Sequence, residues 1–168
     1  MKNNIDAIML GDSLSARGDW EVLFYPKKII NLGHDGDTTR CLLQRVHLAN
    51  EVKPKNIFLM IGINDMNLYL SLDEIFNNYK TIVKELEKID SKIFIQAVLF
   101  TQMNSFNKKV KLFNSMLKEF CQKENLEFID LNEELAEADF LKSEYTSDGL
   151  HLNINAYQVW AKKLKNYF

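Results

Sequence analysis

Short apolar runs alternate with stretches of helical periodicity along most of the chain. The β-rich runs predict five strands, at residues 5–10, 28–32, 57–61, 93–100 and 126–129. Between the strands, apolar side chains recur every three or four positions, at Ile75, Tyr79, Ile82 and Leu86 and again at Val110, Phe113, Leu117 and Phe120. Each of these stretches carries one apolar stripe, which is typical of a helix packed on a sheet.

The order strand, helix, strand continues to a closing helix at about residues 155–167. Parallel neighbours need long crossover connections, and those crossovers cover both faces of the sheet. We therefore predict an α/β fold, a three-layer α/β/α sandwich around one parallel sheet. No internal repeat and no Pro/Gly/Ser-rich linker interrupts the 168 residues, so we expect a single domain over residues 1–168.

Composition narrows the possible partners. Lys and Arg number 21 against 23 for Asp and Glu, and a net charge of -2 argues against a nucleic-acid partner. The apolar run after residue 6 is too short for a signal-peptide core or a membrane span, so we expect a cytoplasmic chain without stable membrane insertion. Cys41 and Cys121 read as reduced thiols in or near the core. The sequence leaves a homo-oligomer open.

In an open parallel sheet, ligands bind beyond the carboxyl ends of the strands. The residues that follow each predicted strand are therefore the candidates for function. Four such segments are rich in small, polar and titratable residues: Gly11-Asp12-Ser13, residues 33–39, Gly62-Ile63-Asn64-Asp65 and Asp148-Gly149-Leu150-His151.

A serine hydroxyl becomes a good nucleophile only when an imidazole takes its proton, and the imidazole needs a carboxylate that fixes its tautomer. Asp148 and His151 are three residues apart, so one turn of chain brings the carboxylate to Nδ1 and leaves Nε2 free. Ser13, after the first strand, is the natural target of Nε2. We predict that Ser13, His151 and Asp148 form a catalytic triad.

An acyl-transfer reaction also needs hydrogen-bond donors for the oxyanion that develops at the carbonyl. The backbone N–H of Ser13, the backbone N–H of Gly36 and the side-chain amide of Asn64 come from three neighbouring strand ends. We predict that these three groups form the oxyanion hole.

In order and content, these four segments resemble those of the SGNH hydrolases, also called GDSL-like lipases and acylhydrolases. The resemblance runs over nearly the whole chain. It implies a flavodoxin-like fold with five parallel strands, and it implies that Ser13, Gly36, Asn64 and His151 are the four residues that name the family, with Asp148 completing the triad. It implies neither a metal nor an organic cofactor.

The sequence departs from the common family pattern at His34 and Asp35, where small or aliphatic residues are usual. The two side chains either contact a polar substrate beside Gly36 or make hydrogen bonds within their loop. Asp12 and Asp65 are expected to hold loops by accepting backbone N–H groups. A magnesium site built from nearby carboxylates is the less favoured interpretation, because residues 37–39 are better explained as a helix cap.

Little sequence remains for an apolar lid once five strands and their helices are placed, which favours small acyl groups. Trp20, Met66, Met103 and Phe106 fall near strand ends and are candidates for lining a shallow pocket. We expect hydrolysis of acetyl or similarly short esters of a carbohydrate or another small metabolite. Cleavage of lysophospholipids or thioesters with longer acyl chains is the alternative.

Two interpretations from other classes compete with an esterase. A signalling or flavin-binding module on the same architecture needs a second acid or a phosphate-binding loop after the first strand, and Ser13 and residues 14–18 provide neither. A non-catalytic module that binds an acylated ligand without turnover stays open, because a sequence does not show whether the catalytic groups meet.

Overall fold

The computed structural model describes residues 4–168. Its main sheet has five strands, all parallel, in the spatial order β2-β1-β3-β4-β5: β1 (Ala7–Gly11), β2 (Ile29–Gly33), β3 (Asn56–Met60), β4 (Lys92–Gln96) and β5 (Glu127–Ile129). The predicted three-layer sandwich with a five-stranded parallel sheet is confirmed. Because β1 lies between β2 and β3, three candidate segments begin at adjacent strand ends.

Helices make the crossovers on both faces of the sheet. Within the described residues they are α1 (Ser13–Ala16), α2 (Trp20–Leu23), α3 (Thr39–Arg45), α4 (His47–Val52), α5 (Ile63–Asn67), α6 (Leu72–Leu86), α7 (Asn104–Glu124), α8 (Asn132–Leu135) and α9 (Ile154–Leu164). One 3₁₀ turn precedes α9, at Ser143–Tyr145, and another follows it, at Lys165–Tyr167. The predicted closing helix is therefore α9 with a 3₁₀ extension.

Successive side chains of each strand point to opposite faces of the sheet and so pack in two different apolar cores. On β1, Ile8 and Leu10 pack in the core beneath α6 and α7, while Ala7 and Met9 pack in the core beneath α2 and α9. The stripe residues predicted for α9, Tyr157, Trp160, Ala161 and Leu164, are all buried in that second core.

The fourth strand is shorter than predicted, since it ends at Gln96 and not at residue 100. It pairs with β5 over only three positions. Beyond them, the backbone N–H groups of Val98, Phe100 and Thr101 donate to three buried asparagine side chains, those of Asn114, Asn132 and Asn107, at 2.8–2.9 Å. Side-chain amides thus replace the backbone hydrogen bonds of a neighbouring strand. The buried apolar run continues past Gln96 without being a strand.

Two expectations about individual residues are wrong. Trp20 and Met66, predicted to line a pocket, are only 1% exposed and belong to the two cores, whereas Met103 is 38% exposed. Cys41 is exposed and not a core thiol, because its position on α3 faces solvent. Cys121 is buried as expected, and burial raises the pKa of its thiol to about 12.

A short hairpin was not predicted. The two-residue strands β6 (Ala136–Glu137) and β7 (Phe140–Leu141) pair antiparallel, and both turn residues, Ala138 and Asp139, have positive φ. Two left-handed residues match the type I′ turn that joins tight hairpins, although Ala-Asp lacks the usual Asn-Gly signature. The hairpin leads the chain from β5 back toward Asp148 and His151.

Candidate active site

Ser13 is the first residue of α1, directly after β1. Asp12 caps this helix, because its Oδ1 accepts the backbone N–H of Leu14 at 3.0 Å. The helix packs against β2 so closely that a Cβ on Gly33 would lie 2.2 Å from the backbone nitrogen of Ala16. A glycine is required there for the nucleophile helix to reach its place.

Three side chains from three other elements hold the carbonyl groups of α1. The Tyr157 hydroxyl donates to the Leu14 oxygen at 2.8 Å, the Trp20 indole donates to the Ser15 oxygen at 2.7 Å, and the Asn31 amide donates to the Ala16 oxygen at 2.9 Å. A four-residue helix has almost no hydrogen bonds of its own to stabilise it. These contacts explain why so short a helix keeps Ser13 in one orientation.

The structure brings Ser13, His151 and Asp148 together in the predicted order. Ser13 Oγ lies 3.2 Å from His151 Nε2, and His151 Nδ1 lies 2.7 Å from Asp148 Oδ2. With Nδ1–H donating to the carboxylate, Nε2 is left as an acceptor for the serine proton. This is the geometry that a serine nucleophile and its base require.

The loop that carries the acid and the base is organised by its own hydrogen bonds. Asp148 Oδ1 accepts the backbone N–H groups of Leu150 at 2.9 Å and His151 at 2.7 Å. The buried Thr146 hydroxyl donates to the His151 carbonyl at 2.7 Å and accepts from the Gly149 N–H at 3.0 Å. The hydrogen bond from His151 and the two backbone bonds hold the pKa of Asp148 well below its usual value.

The predicted oxyanion donors lie at the ends of β1, β2 and β3. Gly36 sits in a turn closed by the Asp37 N–H and the His34 carbonyl at 3.2 Å, with a φ of +79° that favours glycine. One N–H of the Asn64 amide donates to the Asp37 carbonyl at 2.9 Å. Within residues 4–168, the backbone N–H groups of Ser13 and Gly36 donate no hydrogen bond. Both remain free to bind a ligand oxygen.

Three buried carboxylates lie beneath these donors. Asp65 accepts the Thr39 N–H at 2.9 Å and the Thr39 hydroxyl at 2.5 Å. Asp12 accepts the N–H of Leu14, and burial raises its pKa to about 7. The expectation that Asp12 and Asp65 hold loops agrees with these contacts. The third carboxylate, Asp37, pairs with Arg45.

Arg45 links the ends of β1 and β2 from their buried side. Its Nε donates to Asp37 at 2.5 Å, and its two Nη atoms donate to the carbonyl oxygens of Leu32 at 2.7 Å and Gly11 at 2.9 Å. A largely buried guanidinium that uses all three nitrogens fixes both loops. Arg45 was not predicted from the sequence, since an arginine at the end of a helix carries no signal that it points into a site.

His34 and Asp35 lie exposed at the rim of the site. Asp35 accepts from Arg17, through Nη2 at 2.9 Å and Nε at 3.3 Å, and the guanidinium lowers the pKa of Asp35. His34 Nδ1 lies 3.2 Å from an Asp37 carboxylate oxygen. Arg17 was also missed, although its place four residues after Ser13 puts it one helical turn beyond the nucleophile.

The described residues contain no cluster of three or more His, Cys, Asp or Glu side chains able to hold a metal ion. Between residues 4 and 168, none of the helices has both the length and the apolar character needed to cross a membrane.

The sequence matches known proteins over this same region. Residues 9–159 match the model of the GDSL-like Lipase/Acylhydrolase family. An N-acylneuraminate cytidylyltransferase of Streptococcus agalactiae is 26% identical, the match covering 94% of this chain but only 39% of that protein. Subunit alpha2 of the rat platelet-activating factor acetylhydrolase IB is 28% identical, over 95% of this chain and 74% of the subunit.

A GDSL-like lipase of Bacteroides thetaiotaomicron superposes with a TM-score of 0.90 at 17% identity, over 99% of this chain and 89% of the lipase, which shows the shared fold. The chain belongs to the GDSL-like lipase/acylhydrolase family. The resemblance described from its sequence is confirmed.

Proposed function

We propose that this chain hydrolyses short acyl esters, acetyl esters first among them, carried by a carbohydrate or another small metabolite. Ser13 is the nucleophile, His151 the general base and acid, and Asp148 the residue that orients His151. The observation that carries the proposal is the continuous hydrogen-bonded chain from Ser13 Oγ through both nitrogens of His151 to Asp148, at 3.2 and 2.7 Å.

The reaction proceeds in two halves. Ser13 Oγ attacks the ester carbonyl carbon while His151 Nε2 takes the hydroxyl proton, and the imidazolium is stabilised by Asp148. The carbonyl oxygen gains the charge and accepts hydrogen bonds from the N–H groups of Ser13 and Gly36 and from the Asn64 amide. The C–O bond to the leaving alcohol then breaks, and His151 gives that oxygen its proton. Water repeats the sequence and releases the acid.

Two observations support a small acyl group and a polar leaving group. Within residues 4–168 the loops after β1 and β2 are short, and Trp20 is buried in the core and does not extend over the site. Of the two relatives described above, one is named for acetyl hydrolysis and the other for a sugar substrate. This chain spans 39% of the second relative, and the name of that relative supports a sugar as the leaving group.

Longer acyl chains are the second candidate, because apolar side chains are exposed close to Asn64. Leu68, 63% exposed, donates its N–H to the Asn64 carbonyl at 3.1 Å, and the next residue, Tyr69, is 89% exposed. These side chains offer an open surface to a lysophospholipid or thioester acyl tail.

A series of p-nitrophenyl esters from acetate to decanoate, assayed with wild type and Ser13→Ala, separates the two candidates. The proposal predicts that kcat/KM is highest for acetate or propionate and is abolished by Ser13→Ala. A maximum at eight or more carbons contradicts the short-acyl assignment and favours the second candidate. Acetylated monosaccharides assayed by acetate release then test the leaving group.

A further inference from the structure

The helix that carries Ser13 and the loop that carries Gly36 are joined by an ion pair on their solvent side. We call residues 34–37 the oxyanion loop. Asp35, the residue before Gly36, accepts two hydrogen bonds from Arg17 on a single carboxylate oxygen. Arg17 caps the end of α1, and its own N–H donates to the Ser13 carbonyl at 3.1 Å.

Within the oxyanion loop, the Asp37 N–H donates to the His34 carbonyl at 3.2 Å, and His34 Nδ1 lies 3.1 Å from the Asp35 carbonyl oxygen. From outside the loop, other contacts in the described part of the chain hold its two ends. At the start, the His34 N–H donates to the Gly11 carbonyl at 3.0 Å. At the other end, Asp37 is bound by Arg45 and Asn64. Gly36 between them is exposed, and a Cβ at its position would meet no atom within 4 Å. Asp35 provides the carbonyl half of the peptide group that carries the Gly36 N–H. Among these contacts with residues outside the loop, the Arg17–Asp35 pair is therefore nearest to the Gly36 N–H.

We propose that Arg17 and Asp35 are a positioning pair, which sets where the Gly36 N–H stands relative to Ser13. The inference rests on the proposed function only in taking the Gly36 N–H as an oxyanion donor. An oxyanion donor acts over hydrogen-bond distance, so small displacements of the loop change the reaction rate. The pair links the two elements whose backbone N–H groups have to converge on one oxygen.

The pair acts on the geometry of the site and not on the stability of the fold. Its side chains are 46% and 56% exposed, and ion pairs so exposed add little to the free energy of unfolding. Removal of the pair should therefore leave the melting temperature nearly unchanged while it loosens the oxyanion loop. A second exposed pair provides a matched control: Arg40 on α3 donates to Glu74 on α6 at 2.8 Å, and neither residue belongs to the oxyanion loop.

The first test is backbone dynamics, which does not depend on any substrate. ¹⁵N relaxation is measured for the Gly36 amide in wild type, Arg17→Gln, Asp35→Asn and the control Arg40→Gln. The proposal predicts that the order parameter of Gly36 falls from about 0.85, the value of rigid backbone, toward 0.6 in the first two variants and stays unchanged in the control. Equal order parameters in all four proteins would overturn it.

The second test is steady-state kinetics with p-nitrophenyl acetate, with Ser13→Ala as the blank. Asp35 is close enough to His151 for their charges to interact, so kcat is read on the pH-independent plateau of each variant. We expect kcat to fall about two- to fivefold in Arg17→Gln and Asp35→Asn, the size that an exposed ion pair can account for, with KM unchanged. Arg40→Gln should match wild type.

Exchange of the charges completes the test. Arg17→Asp combined with Asp35→Arg restores an ion pair, and it should recover kcat and the rigid Gly36 amide. A rise in KM with kcat unchanged would replace the proposal with direct substrate contact by Asp35. A wild type no more active than Ser13→Ala would contradict the proposed function alone, since the relaxation measurement still decides whether the pair positions Gly36.

Discussion

Two aspartates near the nucleophile illustrate opposite uses of the same side chain. Asp148 is half exposed, accepts two backbone N–H groups and faces the His151 ring, and its pKa is lowered. Asp12 is 1% exposed and accepts the backbone N–H of Leu14, and its pKa is raised to about 7. Donors around the first carboxylate outweigh its partial burial, whereas complete burial outweighs the backbone donors of the second.

Under the proposed mechanism, the charge of Asp148 stabilises His151 when that imidazole becomes cationic, and the hydrogen bonds that lower the pKa of Asp148 favour this charge. Asp12 needs only its Oδ1 lone pair to cap α1, a role that a neutral carboxylic acid fills as well.

Asp148→Asn should cause the largest loss of activity after loss of the nucleophile. An asparagine amide can donate to His151 Nδ1 and so favour the tautomer with hydrogen on Nε2, which does not accept the Ser13 proton. We expect kcat to fall about 10³- to 10⁴-fold, as for other triads that lose the aspartate charge. Steady-state hydrolysis of p-nitrophenyl acetate measures this, with circular dichroism as the control for folding. A loss below tenfold would show that Asp148 does not orient the base.

Asn64→Ala should cause an intermediate loss. It removes a proposed oxyanion donor and also the hydrogen bond to the Asp37 carbonyl. We expect kcat to fall about 100- to 1,000-fold with KM little changed, the usual effect of losing one such donor. Kinetics on wild type and variant at the same pH decide this, and an equal rise in KM at constant kcat would assign Asn64 to substrate binding instead.

Asp12→Asn should change the pH dependence of stability more than it changes activity. The unfolded carboxyl ionises near pH 4 and the folded one only near 7, so wild type loses stability as the pH rises between these values. In the variant, the side chain at position 12 does not titrate between pH 4 and pH 7. Its melting temperature relative to wild type should therefore increase from pH 4 to pH 7 and level off above.

Asp6→Asn is the control for that experiment, because the hydrogen bond from Lys55 lowers the pKa of Asp6 and its carboxyl is ionised in both the folded and the unfolded chain above about pH 5. Its melting temperature relative to wild type should stay constant from pH 5 to pH 7. A flat difference for Asp12→Asn as well would show that Asp12 is ionised in the folded protein.

The sequence predicts the layers of this fold because apolar periodicity is local. The stripe of Tyr157 and Trp160 on α9 and the glycine-rich segments after β1, β2 and β3 are visible without any tertiary information. The end of β4 was not predictable, because the backbone N–H of Val98 donates to the side chain of Asn114, sixteen residues later, and not to a neighbouring strand. A buried strand and a buried extended segment have the same apolar pattern, and only the long-range partner tells them apart.

The candidate triad was likewise visible, while its supports were not. Ser13, Asp148 and His151 are of residue types whose chemistry is specific. In the sequence, nothing distinguishes Arg17 and Arg45 from other helical arginines. The structure shows that Arg17, at the end of α1, pairs with Asp35 and that Arg45, at the end of α3, pairs with Asp37. The prediction that Trp20 lines a pocket was wrong. An indole near a strand end can equally be buried in the core when its N–H has an acceptor, and here the Trp20 N–H donates to the Ser15 carbonyl.

The most direct test of the central claim is hydrolysis of p-nitrophenyl acetate by wild type and Ser13→Ala, side by side at neutral to mildly alkaline pH. Mass spectrometry of the wild type after a rapid acid quench looks for an acetyl group on the peptide that contains Ser13. We predict turnover and a gain of one acetyl group for wild type, and a fall of about 10⁵-fold or more, without acetylation, for the variant. Equal activity of the two proteins, or acetylation at another residue, would contradict the assignment of Ser13 as the nucleophile.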